Sequence, residues 1–195
     1  MTLVRLALLH VCLLILAACA TAIEKPQTAP VSPRAAKDIS LDASVYKLAS
    51  GDTVKVDVLG EPELSLKVLI DAAGFINYPF LGRVQAAGLT VGQLERRIYS
   101  GLKTGYLVNP DVRVAVSEYR AVYVSGQVRQ AGAYPYSPGL TVDKAITLAG
   151  GITQFGSKNR IYRQRAGKQK EERENVGLDG LVYPGDTIVV DERLF

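Results

Sequence analysis

Histidine and cysteine are nearly absent from this 195-residue chain, which holds one histidine, His10, and two cysteines, Cys12 and Cys19. All three lie in the first nineteen residues. If that leader is removed before Cys19, the remainder keeps no histidine and one cysteine. Ser-His-Asp and Cys-His catalysis are then excluded, together with ordinary zinc and haem sites, so neither an enzyme nor a metal or cofactor is expected. Nowhere does an apolar run approach the roughly 20 residues of a spanning helix. A series of barrel-type strands of roughly 9 to 11 residues is missing too. Charge of one sign is also scarce: 23 Lys and Arg against 19 Asp and Glu give a formal +4 and a pI near 9.0. So mild a basic excess is a weak pointer to nucleic acid.

What is present begins with a leader. MTLVRLALLHVCLLILAAC carries one positive charge, Arg5, an apolar run from Leu6 to Leu16, and the small pair Ala17-Ala18. That is the layout of a secretory signal peptide. Leu16-Ala17-Ala18-Cys19 also resembles a bacterial lipobox, which predicts cleavage between Ala18 and Cys19 and lipidation of the Cys19 thiol. Ala20, rather than Asp, follows the cysteine and fits an outer-membrane destination on the periplasmic side. Several acyl chains anchor a protein stably where one binds marginally. Residues 1–18 are therefore read as signal peptide. Residues 19–42, rich in Ala, Pro, Thr and Ser, are read as a lipidated N-terminus and extended tether.

Folded material is expected from residue 43. TVKVDVL alternates Val54, Val56 and Val58 with Lys55 and Asp57, as a half-buried strand does. KVLIDAAGFINYPFLG reads as two strands around a turn at Asp71 to Gly74, with Pro79 limiting the second. Thr90 and Gln93 form a capping-box pattern, Val91, Leu94, Ile98 and Leu102 share one helical face, and Gly105 stands where a C-cap belongs. NPDVRVAVSEY returns to strand with Val112, Val114 and Val116 inward. Over residues 119–195, short strands surround a helix in TVDKAITLAGG, capped by Thr141 and ended by Gly150-Gly151. A hairpin turning at Ala166-Gly167 follows, and DTIVVDE supplies the last strand. The fold class is α+β: a small domain of strands with one helix over residues 43–118, then a β-grasp-like domain over 119–195. Gly-Asp-Thr occurs where the first domain opens, at residues 51–53, and again where the second closes, at residues 185–187, and reads as turn-to-strand chemistry rather than duplication.

Taken in order, YKLASGDTVKVDVLGEPELSLKVLIDAAGFINYPFLGRVQAAGLTVGQLERRI and NPDVRVAV resemble the export domain of the outer-membrane polysaccharide export proteins of Gram-negative bacteria. VYVSGQVRQAGAYPYSPGLTVDKAITLAGGIT with PGDTIVV resembles their soluble-ligand-binding β-grasp (SLBB) domain. Ser50 stands where the family usually has Pro. The resemblance implies a homo-oligomeric ring of several copies, eight in the best-known members, that conducts polysaccharide to the outer membrane above an inner-membrane polysaccharide co-polymerase. Longer members cross the outer membrane with a C-terminal helix. Here only DERLF follows Val190, so a separate outer-membrane β-barrel porin is the expected partner. The competing reading is a periplasmic lipoprotein that binds glycan or a small ligand and forms no conduit.

Among individual residues, Arg163 and Arg165 sit at alternate positions of a basic run (Lys158, Arg160, Arg163, Arg165, Lys168, Lys170). They are candidates to meet an acidic polymer or a partner, against the simpler reading of a charged, solvated edge strand. EERE follows and partly neutralises them. Asp52, Asp57, Glu61 and Glu63 are the acidic residues nearest to a glycosidase pair, yet turn, strand-face and loop roles account for them. Tyr78, Tyr134 and Tyr136 offer stacking surfaces for sugars, or core packing. Cys19→Ala is expected to release the protein from membranes into the soluble periplasmic fraction. Fractionation and labelling with radioactive palmitate check this, and continued membrane partition and labelling would count against the lipobox.

Overall fold

The computed structural model describes residues 45–193. The expected signal peptide and tether, including Ala18 and Cys19, lie outside the described residues. Within them two hydrophobic cores are built, one on either side of Tyr119, which packs against both.

The first core rests on a three-stranded antiparallel sheet in the order β2-β1-β5, made of Thr53–Val58 (β1), Leu66–Leu69 (β2) and Val112–Glu118 (β5). Alternation does what the sequence promised: Val54, Val56 and Val58 are buried, while Lys55 and Asp57 pair on the outer face at 2.8 Å. Val112 and Val114 point inward with them, and Val116 is half-buried. Phe75–Tyr78 (β3) and Gly82–Gln85 (β4) form a separate antiparallel hairpin whose Ile76, Tyr78 and Val84 enter the same core. The turn at Asp71 to Gly74 is present, but it does not join a hairpin. β2 pairs with β1 and β3 pairs with β4, so the chain changes sheets at that turn.

Helix α1, Val91–Lys103, closes the core with Leu94, Ile98 and Leu102. Its start is fixed by the full capping box, Thr90 accepting from the Gln93 N–H and Gln93 accepting from the Thr90 N–H. Its end is marked by Gly105 at φ 109°, a conformation that only glycine adopts without strain. Burying each of these Leu, Ile and Val side chains is worth about 1.5–3 kcal/mol.

The second core is a five-stranded mixed sheet, order β7-β6-β10-β8-β9, from Val122–Gly126 (β6), Gly132–Tyr134 (β7), Gly156–Gln164 (β8), Glu174–Asn175 (β9) and Thr187–Glu192 (β10). β10 runs parallel to β6 and antiparallel to β8. Helix α2, Val142–Leu148, brings Val142, Ala145 and Ile146 into this core, with Thr141 accepting from the Lys144 N–H at its start. Both sheet edges are strands of three residues or fewer, which blunts them against further pairing.

Two tyrosines expected either to stack on ligands or to pack are packed. Tyr78 is buried and donates to Leu64 O at 2.6 Å, and Tyr136 is buried in the second core. Burial pushes the Tyr78 phenol up to about 12, and burial with its tyrosine and Asp186 neighbours does the same for Tyr136. A phenol raised by folding contributes stability that is complete below its unfolded value of about 10 and is lost as pH climbs through the folded value. The fold is therefore expected to weaken progressively between about pH 10 and 12. Urea unfolding midpoints across that range check this, and midpoints unchanged up to pH 12 would contradict the burial of these hydroxyls.

Candidate functional site

Three places combine chemistry with geometry: the junction between the cores, the tip of the β3–β4 hairpin, and the basic run on β8.

At the junction, Ala49-Ser50-Gly51-Asp52 turns tightly, with the Asp52 N–H donating to Ala49 O at 3.1 Å and Gly51 at φ 89°. Tyr183-Pro184-Gly185-Asp186 makes the same turn, with the Asp186 N–H on Tyr183 O at 3.0 Å and Gly185 at φ 85°. A glycine at the third position suits a type II turn, and Ser50 and Pro184 both fit the second. In both, the aspartate carboxylate reaches back to accept the first residue's N–H, from Ala49 at 2.9 Å and from Tyr183 at 3.0 Å. Arg120 lies between the two turns. A Cβ on Gly51 would sit 3.3 Å from Arg120 Cβ, and one on Gly185 only 2.5 Å from Arg120 Nε. Both glycines thus admit the arginine.

Asp52 is wholly buried and accepts from four donors: the Arg120 backbone N–H at 2.8 Å, Arg120 Nη1 at 3.3 Å, the Tyr46 hydroxyl at 2.7 Å and the Ala49 N–H. Arg120 Nη1 also donates to the Tyr46 hydroxyl at 3.0 Å. Burial, followed by the hydrogen bond to Asp52, holds the Tyr46 phenol far above its ordinary value, so it remains a donor. Beside this network, Tyr46, Tyr119 and Tyr136 stack edge-to-face at 5.2 and 5.3 Å between centroids, running from one core into the other. Read from sequence, Asp52 was only a turn residue, and Arg120 carried no motif at all. The repeated Gly-Asp-Thr was the one signal available.

At the hairpin tip, Phe80 follows Pro79 with φ 61°, the one non-glycine residue with positive φ among those described. It is 65% exposed and its ring lies 5.1 Å from that of Tyr106, itself half-exposed. The Tyr106 hydroxyl donates to Phe80 O at 3.1 Å, tying the tip to the segment after α1. A bulky side chain held in the left-handed region and turned to solvent is a strained arrangement of the kind that marks functional surfaces.

The basic run does not lie on an open edge. β8 sits between β10 and β9, and Arg163 is 9% exposed. Its guanidinium meets Glu174 at 2.6–2.8 Å and Leu181 O. Arg165, half-exposed, also reaches Glu174, at 3.4 Å, and both guanidiniums lie over the Tyr183 ring. The hydrogen bond from Arg163 holds the Glu174 carboxyl below its ordinary value. Arg160 pairs with Asp191, and Lys168 with Glu172. The structure thus brings Arg163 and Arg165 onto one carboxylate, Glu174, and the buried member of that cluster is Arg163, while Glu174 itself stays half-exposed. Of the four acidic residues weighed above, Asp52 is absorbed by the junction and Asp57 by Lys55, while Glu61 and Glu63 are exposed on a short 3-10 turn and the loop before it. Tyr134, half-buried, donates to Gln130 O.

Residues 41–117 match the family described as polysaccharide biosynthesis/export protein, and residues 121–177 match the SLBB domain. Among curated proteins, the chain is 32% identical to the exopolysaccharide production protein ExoF of Rhizobium meliloti over 127 residues, 63% of this chain and 30% of that one. It is 30% identical to the EPS I polysaccharide export outer membrane protein EpsA of Ralstonia nicotianae over 201 residues, 86% of this chain and 51% of that one. It is likewise 30% identical to the polysialic acid transport protein KpsD of Escherichia coli over 164 residues, 76% and 28% of the two chains. The chain thus spans about half of the EpsA length and less than a third of the other two.

The two turn aspartates are expected to differ sharply when neutralised. Burial raises the Asp186 carboxyl above its ordinary value, against the opposing pull of the Tyr183 N–H and of Arg163 and Arg165. A raised carboxyl gives stability that is complete below the unfolded value and lost as pH rises through the folded one, so at pH 7 its charge is a burden. Asp186→Asn keeps the acceptor and should leave neutral-pH stability within about 1 kcal/mol of the parent, or above it. Asp52→Ala strands Arg120 and Tyr46 and should lose about 3 kcal/mol. Chemical unfolding at pH 7 measures both, and equal losses would refute the distinction.

Proposed function

We propose that this chain, which belongs to the outer-membrane polysaccharide export family with an export domain followed by one SLBB domain, is a lipid-anchored periplasmic ring subunit of a polysaccharide export channel. The observation that carries the reading is the fixed union of the two domains. The four-donor Asp52 site and the tyrosine chain make one block of them. A rigid block with two different faces closes into a ring when repeated head-to-tail through a fixed rotation, and a hinged one does not do so reliably. Conducting polymer requires no bond chemistry from such a ring.

On this reading Cys19 holds the ring to the inner face of the outer membrane, a location supported by the relative EpsA being named an outer membrane protein. An inner-membrane co-polymerase supplies polymer from below. No helix among the described residues is long and apolar enough to cross a membrane, and we assign the crossing to a separate β-barrel porin. Arg163 and Arg165 serve the interior of the SLBB domain first, and the half-exposed Arg165 is the one left to touch polymer or partner. Deleting the gene tests the whole: surface polysaccharide should fall and intracellular or periplasmic polymer accumulate. Native mass spectrometry of the lipidated protein in detergent should show a closed ring. A persistent monomer with measurable glycan affinity would instead favour a binding lipoprotein that forms no conduit.

The exposed Phe80–Tyr106 pair supplies a polymer-facing surface in this scheme, since flat rings contact sugar faces without gripping them. Phe80→Gly places glycine where the left-handed backbone suits it and relieves about 1 kcal/mol of strain, while the ring contact of similar size is lost. Stability should therefore stay within about 1 kcal/mol of the parent. Surface polysaccharide in the complemented deletion strain should drop. Thermal unfolding and polymer assay together check this, and normal export by a stable variant would remove Phe80 from the path.

A further inference from the structure

A groove of about 420 Å³ runs between α1 and the β3–β4 hairpin, lined by Phe75, Leu81, Arg83, Gln85, Arg97 and Gly101. Its walls are locked together, because Gly101 lets Leu81 approach so closely that a Cβ there would fall 2.8 Å from Leu81 Cδ1. Arg83 stands on the hairpin wall and Arg97 on the helix wall.

Neither guanidinium is committed as Arg120 and Arg163 are. Arg83 lies over the Phe75 ring, its Cζ 4.3 Å from the centroid, which fixes the plane of the fork and leaves its edge available. Its acidic neighbour, Asp71, is 3.5 Å away and half-exposed, an ion pair of the kind worth little in water. Asp71 is moreover engaged by the Phe75 N–H at 2.8 Å. Arg97 has no carboxylate partner among the described residues, and its Nη1 donates to the Gln85 backbone carbonyl at 3.4 Å. Two under-used forks lining one fixed groove form a receptor for planar anions, and the Gln85 side chain, whose amide nitrogen donates to Ala87 O at 3.3 Å, belongs to the same lining. The groove is shallow and largely open to solvent, so a ligand lying in it stays partly in water.

We propose that this groove binds carboxylate-bearing sugar residues, so that the exported polymer is an acidic, uronic-type glycan read at the export domain. The proposal rests on the export reading above and adds the substrate class to it. Arg83 and Arg97 take the carboxylate through paired N–H donors, and Gln85 meets a ring hydroxyl. Held by exposed forks at the surface, each residue of the polymer binds weakly enough to be passed on.

The test titrates the full lipidated protein in detergent with oligogalacturonate and with its methyl-esterified counterpart of equal length, by calorimetry at low and physiological salt. Binding of the acid form only, weakened at higher salt, supports the site. Arg83→Gln and Arg97→Gln should each weaken it about tenfold. Arg97→Lys, which keeps the charge and loses the fork, should fall between. Gln85→Glu, which places a carboxylate in the groove, should abolish binding with the melting temperature of the parent. Equal binding of the esterified probe, unchanged affinity in both arginine variants, or competition by inorganic phosphate at equal concentration would overturn it. If the deletion strain loses surface polymer while the variants bind as the parent does, the groove fails and the export reading stands. If surface polymer is unaffected by deletion while acid-specific binding is lost in the variants, the export reading fails and the groove stands as an acidic-glycan site.

Discussion

The fold depends on a carboxylate that water never reaches. Asp52 is fully buried, and a buried charge is tolerable only when donors replace its hydration shell. Four do so, and they come from both sides of the molecule: Tyr46 and Ala49 before the first sheet, and Arg120 at the start of the second domain. No one of them suffices. The same network that makes the charge affordable therefore fixes how one domain meets the other. Hydrophobic packing alone would leave that relation softer, since apolar contacts are non-directional. The tyrosine chain adds area to the junction, and the arginine adds direction.

The Gly-Asp pairs illustrate how one local device serves two ends. Each turn is closed by the same backbone bond and the same returning carboxylate. Their electrostatic fates then part. Asp52 receives a guanidinium in direct contact, whereas burial leaves Asp186 raised, with Arg163 and Arg165 acting on it only at a distance. Local turn chemistry fixes the backbone, and tertiary context decides what the carboxylate does. Arg120 passes between both turns because neither has a side chain at the critical position. The second turn is held in turn by the Tyr123 N–H on Asp186 O and the Gly185 N–H on Ala121 O, so that it belongs to the β6–β10 sheet as Asp52 belongs to the first.

Periodicity made much of this readable in advance. The Val54-Val56-Val58 alternation, the Thr90–Gln93 capping box, the Leu94-Ile98-Leu102 face and the Thr141 cap are local signals, and each lies where local physics puts it. What escaped was non-local. The turn at Asp71–Gly74 was evident, but nothing nearby in sequence shows that β2 returns to β1 while β3 seeks β4. β8 looked like a charged edge because its sequence is basic. It lies inside because β10, far along the chain, pairs on one side while Glu174 meets its arginines on the other. Arg120 sits 68 residues from Asp52, and no spacing rule joins them. Phe80 announced itself only as an aromatic beside Pro79, since a positive φ cannot be read from residue types that normally avoid it.

The arginines sort the surface into structure and supply. Arg120 and Arg163 are each drawn inward and matched to a carboxylate within short range, so their charge is internal to the fold. Arg160 is similarly engaged by Asp191 at the end of β10. Arg83 and Arg97 are held more loosely, one on an aromatic face with the half-exposed Asp71 at 3.5 Å and the other against a carbonyl. On the proposed reading the chain lines a conduit, and such a subunit has to meet two demands that pull apart: its frame must not yield, and its contacts with cargo must not hold. Buried, multiply bonded ion pairs answer the first because breaking one leaves a stranded charge. Exposed forks and rings answer the second because water and salt compete for them at every step. The division of one residue type between these two settings is what lets a single small chain be stiff at its junction and permissive at its surface.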